Sequence, residues 1–145
     1  MEICRTVTTT VPASEVFAYL ADFTSTTEWD PGTVSTTLVS GDGGVGTTYE
    51  NVSTFRGRET RLTYVVEEYV PESVIILRGE NATLVARDTM TFVPTPEGGT
   101  QVTYRARFTF KGVARIVAPL LAPAFRALGD DAERGLREAF SRLAS

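Results

Sequence analysis

Between Thr83 and Phe110 the chain alternates apolar and polar residues with little interruption. Leu84, Ala86, Met90, Phe92, Val102, Tyr104, Ala106, Phe108 and Phe110 share one parity. Thr83, Arg87, Thr89, Thr91, Thr103, Arg105, Arg107 and Thr109 share the other. Successive side chains of a strand point to opposite faces, so this pattern demands two strands with one face in a core and one in water. A turn around Pro94–Gly99 sets Phe92 opposite Val102, Met90 opposite Tyr104 and Ala86 opposite Phe108. Such a sheet needs a cover for its apolar face. The segment from about Gly112 to the end reads as one helix, bent or two-part because of Pro119 and Pro123. At helical spacing Val117, Leu121, Leu128, Ala132, Gly135 and Ala139 form one stripe, flanked by Ala124, Phe125, Leu136 and Leu143. Large side chains on the sheet facing small ones on the helix leave either a void or a close helix–sheet contact.

The remainder completes an α+β domain. Residues 2–9 read as a strand. Ser14–Ala21 follows Pro12 as a short helix with Val16, Phe17 and Leu20 on one face, and a second helical turn runs from Thr24 to Trp29, stopped by Pro31. From Thr33 to Phe110 only strands fit, with turns at Gly41–Gly44, Gly57-Arg58, Pro71-Glu72 and Glu80-Asn81. A two-residue turn at Gly57-Arg58 pairs Ser53 with Leu62, Asn51 with Tyr64 and Tyr49 with Val66. A turn at Glu80-Asn81 pairs Leu77 with Leu84, Ile75 with Ala86 and Ser73 with Asp88. The expectation is a curved antiparallel sheet of about seven strands around a long C-terminal helix. With no repeat and no linker, residues 1–145 are expected to form one domain.

Several functions are excluded by what is missing. There is no histidine in the 145 residues, so histidine-based triads and metal sites are ruled out. Cys4 is the only cysteine, which removes internal disulfides and thiolate zinc sites; it is expected to be a small packing residue. No metal and no cofactor is expected. A net charge of −4 argues against a nucleic-acid partner. No apolar run reaches the ~20 residues of a membrane span, and the N-terminus has no signal-peptide pattern, so a cytoplasmic protein, monomer or dimer, is expected.

The strand, short helix pair, strands, long helix order is the helix-grip order. Val11-Pro-Ala-Ser-Glu-Val-Phe-Ala-Tyr-Leu-Ala-Asp22 followed by Trp29-Asp-Pro31 resembles the N-terminal signature of the START-like (SRPBCC) superfamily. Gly46-Thr-Thr-Tyr49, Tyr69-Val-Pro71 and Gly99-Thr-Gln-Val-Thr-Tyr104 resemble later blocks of its polyketide cyclase/dehydrase branch. The resemblance spans essentially the whole chain. It implies a deep apolar cavity between sheet and helix, and ligands such as lipids, sterols, polyketides or plant-hormone-like molecules. Some members are cyclases or hydratases, and the fold does not by itself transfer an activity.

Asp88 is the residue that stands out, because it breaks the inward apolar row Leu84-Ala86-Asp88-Met90-Phe92. A buried carboxylate is costly unless paired, hydrogen-bonded or neutral. It is either a cavity acid or base, with Tyr104 as diagonal cross-strand neighbour, or a structural carboxylate bonded to backbone. Tyr49, Asn51, Ser53 and Tyr64 form a second inward polar set that either orients a ligand or packs as ordinary core. Glu68 shares that parity and is expected at the rim. Trp29 is a lid or a clamp between the short helices and the sheet. With these, Leu77, Leu84, Ala86, Met90, Phe92, Phe108, Leu121, Phe125, Leu128 and Ala132 make the expected ligand-binding wall. The leading reading is a carrier of a hydrophobic small molecule. The rivals are a cyclase or dehydratase that moves a proton through Asp88 with help from Tyr64 or Tyr104, and a protein-interaction adaptor.

Overall fold

The computed structural model describes residues 1–145. Seven strands form a single antiparallel sheet: β1 (Glu2–Thr9), β2 (Thr33–Ser40), β3 (Thr48–Phe55), β4 (Arg58–Val70), β5 (Val74–Glu80), β6 (Leu84–Pro94) and β7 (Thr100–Phe110). Their order across the sheet is β1-β7-β6-β5-β4-β3-β2. Between β1 and β2 lie α1 (Ala13–Ala21), a 3₁₀ turn at Phe23–Ser25 and α2 (Thr26–Trp29). The C-terminal segment is α3 (Ala114–Val117), a 3₁₀ turn and α4 (Ala122–Ala144). This is the expected α+β helix-grip, with the two-part helix broken where Pro119 enters a 3₁₀ turn.

The β6–β7 hairpin has the expected register, with Met90 opposite Tyr104 and Phe92 opposite Val102. Two other hairpins differ. The β3–β4 turn is Arg56-Gly57, not Gly57-Arg58, so Asn51 faces Leu62 and Tyr49 faces Tyr64. Both turn residues have positive φ, 53° and 78°, the type I′ geometry whose twist matches the flanking strands. The β5–β6 connection closes farther along, because the Asn81 side chain accepts from the backbone N–H groups of Thr83 and Leu84. Glu80 therefore pairs with Val85, and Leu77 rather than Ser73 stands opposite Asp88. Each slip is an even number of residues, so every side chain keeps its face. A bulge between Val66 and Glu68 in β4 does change parity: Glu68 is exposed, and Tyr69 turns inward onto Phe17. Cys4 is not a packing residue; it is exposed on the outer face of β1.

The helices cover different parts of the concave face. Phe17 of α1 packs edge-on against Tyr69 and Phe92 and seals one end. The long helix α4 runs chiefly against β1 and α2. Glycine makes that approach possible. A Cβ on Gly135 would come within 1.7 Å of the Trp29 carbonyl oxygen, and one on Gly129 within 2.7 Å of Ile3. Arg5 of β1 adds an ion pair to Asp130 at 2.9 Å. The stripe of small residues thus serves mainly close packing. Gly135 and Ala139 face filled core, and only Ala132 of that group borders open space.

Candidate functional site

Because α1 covers one end of the sheet and α4 lies toward β1, the middle of the concave face is left uncovered. The gap is a cavity of about 750 Å³, within the usual range for small-molecule sites. Its outer end lies between the β3–β4 hairpin, the Asn81–Thr83 turn and α3. There Phe55, Phe108 and Phe110 surround Phe125 with ring centroids 4.9, 4.9 and 5.8 Å away. Arg58 and Arg61 stand on this hairpin, and Arg61 is already paired with Glu50 and Glu59.

The inner end is different in kind. Asp88 is 5% exposed and Tyr104 9% exposed, and the Tyr104 hydroxyl donates to Asp88 Oδ2 at 3.4 Å. Burial pushes the Asp88 carboxyl up to about 7; the nearby Asp30 carboxylate adds to this and the Tyr104 hydroxyl opposes it. Asp30 also borders the cavity. It caps the end of α2, its carboxylate accepting from the Gly32 N–H at 3.1 Å and the Thr33 hydroxyl at 2.9 Å. Its pKa is raised, first by burial. Tyr64 and Tyr104 are both held well above the ordinary phenol range by burial and by these carboxylates, so both keep their protons.

The ring of Tyr64 lies across Gly79: an added Cβ there would meet it at 2.7 Å. Trp29 packs edge-on against Tyr104 at 5.5 Å and is 2% exposed, so it is at once a wall of the cavity and the clamp under α4. Its indole Nε1 has no hydrogen-bond partner.

Of the residues expected in the wall, Trp29, Asn51, Ser53, Tyr64, Leu84, Asp88, Tyr104, Phe108, Leu121, Phe125, Leu128 and Ala132 border the cavity. Tyr49, Leu77, Ala86, Met90 and Phe92 also point inward but sit in filled core. For Phe92 the cover is Phe17, and for Tyr49 it is Phe23 at 5.7 Å. Asn51 and Ser53 are committed to a chain: Ser53 donates to Asn51 Oδ1, Asn51 Nδ2 to Thr36 Oγ1, and Thr36 contacts Thr26 at 2.6 Å. Thr26 in turn donates to the Phe23 carbonyl. That chain ties β3 and β2 to the helical turns; it uses the Ser53 hydroxyl proton and one Asn51 N–H, and leaves the Ser53 oxygen able to accept. Asp30, Phe23, Thr26, Phe55 and Phe110 border the cavity too and lay outside the expected wall. The signal for Asp30 was the Trp29-Asp-Pro31 step, which places a carboxylate at a helix end beside the one tryptophan.

Comparison with known proteins agrees with this architecture. The family model described as "Polyketide cyclase / dehydrase and lipid transport" matches residues 2–144. The chain belongs to that family. Among solved structures, the Zhui aromatase/cyclase from Streptomyces sp. R1128 superposes with TM-score 0.83 at 15% identity, over 100% of this chain and 96% of that one. The protein TTHA0849 from Thermus thermophilus gives 0.82 at 17% identity, with 100% of each chain covered. A START superfamily protein from Mycobacterium smegmatis gives 0.81 at 12% identity, with 98% of each chain covered. At these identities the likeness establishes the START-like fold. No curated protein matches the sequence. The family carries the helix-grip cavity, and the two carboxylates and two tyrosines described above are what this member places inside it.

Proposed function

We propose that the protein binds a hydrophobic small molecule in the cavity between sheet and helix. The observation that carries this reading is a cavity of about 750 Å³, open at its outer end, whose wall includes Phe, Leu, Trp and Tyr side chains, with the buried Asp88 and Tyr104 at its inner end. Burying an apolar ligand there gains roughly 25 cal/mol per Å², and the carboxyl and phenol groups at the inner end fix its orientation. The description of the family as cyclase, dehydrase and lipid-transport proteins supports the same class of ligand. Native mass spectrometry of protein purified from its own host, together with titration by the neutral dye Nile red, tests it. A co-purifying small molecule and saturable dye uptake are expected. Absence of both overturns the reading.

One observation favours a second reading, an enzyme of the cyclase or dehydratase type. Asp88 is poised near neutrality next to a tyrosine hydroxyl, which suits a group that accepts a proton from carbon and returns it to a leaving hydroxyl. Tyr64 or Tyr104, protonated at neutral pH, would donate a hydrogen bond to the enolate oxygen. The name of the Streptomyces relative, an aromatase/cyclase, points in the same direction. Turnover of a polyketide-like substrate that falls ~10²–10⁴-fold in Asp88→Asn, with binding retained, is the result that establishes it.

A further inference from the structure

The inner end of the cavity is acidic and has no counter-ion. Neither Asp30 nor Asp88 takes part in any ion pair of the structure: no lysine or arginine nitrogen lies within 4.0 Å of either carboxylate. The two arginines that border the cavity, Arg58 and Arg61, belong to the hairpin at its outer end. Asp88 lies four residues from Leu84 of the mouth, about 13 Å along β6. Of the Asp88 oxygens, Oδ2 receives the Tyr104 hydroxyl and Oδ1 receives no protein donor. The Tyr64 hydroxyl also has no partner in the protein, although the residue is only 6% exposed. The walls around these groups are aromatic: Trp29 with Tyr104 at 5.5 Å, and Phe23 with Tyr64 at 4.8 Å.

Carboxylates beside aromatic rings and unpaired with any protein cation are the surroundings that favour an ammonium group. A carboxylate or phosphate head would meet like charge there. A neutral hydroxyl could bond to Asp88 Oδ1 but would leave the repulsion between the two carboxylates in place. We propose that the cavity selects a hydrophobic ligand bearing a protonated amine, with the ammonium at the inner end donating to Asp88 Oδ1 and Asp30 adding its charge. The inference rests on the reading of the cavity as a hydrophobic binding site and specifies the ligand's polar group.

The test is a matched series that differs only in the head: 2-(1-naphthyl)ethylamine, 2-(1-naphthyl)ethanol and 1-naphthylacetate, titrated calorimetrically at about pH 8.5, where an alkylammonium is still protonated. Nile red is titrated in parallel. The amine is expected to bind at least about tenfold more tightly than the alcohol, and the acetate most weakly. In Asp88→Asn, and to a smaller degree in Asp30→Asn, the amine and alcohol affinities should converge to within about twofold. Nile red uptake together with equal or stronger binding of the alcohol or acetate by the unaltered protein overturns the amine inference and leaves the cavity reading standing. An amine preference that persists undiminished in both variants overturns the assignment to these carboxylates. Failure of Nile red and all three naphthyl compounds to bind removes the hydrophobic site and this inference with it.

Discussion

The ring of Tyr64 rests on the backbone of Gly79, its directly paired neighbour on β5, so closely that an added Cβ would sit 2.7 Å from two of its carbons. Gly79 is the space that lets a tyrosine lie flat on the sheet and turn its hydroxyl toward the cavity. Gly79→Ala should lift the ring into that volume. The expected outcome is a loss of about 1–3 kcal/mol in denaturant-measured stability, with weaker uptake of Nile red. Wild-type stability and dye binding in the variant would show that the ring does not depend on this contact.

Ala132 and Ala139 separate open space from filled core. Both are buried on α4, at 4% and 1% exposure, but only Ala132 borders the cavity. Ala132→Phe should place its ring in the void, hold stability within about 1 kcal/mol and abolish dye uptake. Ala139→Phe should instead overpack the core and cost about 1–3 kcal/mol. Equal destabilisation by the two substitutions, measured by chemical denaturation, would mean that the space beside Ala132 is not open in solution.

Gly135 meets the Trp29 carbonyl oxygen where α4 crosses the end of α2. The contact is with backbone, which cannot swing aside as a side chain does. Gly135→Ala gains helix propensity of about 1 kcal/mol, yet it should be strongly destabilising on balance, by roughly 3 kcal/mol or more. It should also disturb the Trp29 environment, seen as a shift in tryptophan emission, since Trp29 is the single tryptophan. A variant at least as stable as the parent with unchanged emission would contradict the close crossing.

The fold was legible because its strongest signals are periodic. The alternation through Met90 and Tyr104 set the β6–β7 register to the residue, and the Leu and Ala spacing set the covering helix. Hairpin turns were less legible. Arg56 adopts positive φ without being glycine, and the Asn81 side chain extends a turn beyond its dipeptide, so local turn rules slipped two registers by even steps. Face assignment survived because parity did. The site was partly legible for the same reason: parity identifies Asp88, Tyr64 and Tyr104 as inward. It does not say which part of an inward face is covered. That depends on where α1 and α4 come to rest, which is why Met90 and Phe92 are core while Leu84 and Phe108 border the cavity. Asp30 came from a helix end with no periodicity, and its proximity to Asp88 is tertiary.

The buried carboxyl of Asp88 has a consequence for stability that fixes its charge state experimentally. In the unfolded chain an aspartate titrates near ~3.9; in the fold, burial moves Asp88 up to about 7. Between these values the native state holds a proton that the unfolded state has released. Stability contributed by Asp88 is therefore fully present below the unfolded value and is lost as pH rises through about 7. Asp30, shifted upward as well, acts with the same sign. Asp88→Asn keeps the shape and cannot ionise, so it should remove much of this slope. The expected result is that wild-type stability falls relative to the variant by on the order of 2–4 kcal/mol between about pH 4 and pH 8. Urea unfolding of both proteins across that range measures the difference directly. Parallel pH profiles would show that Asp88 titrates alike in the folded and unfolded chain, which would remove the neutral acid from the cavity and with it the proton-transfer reading.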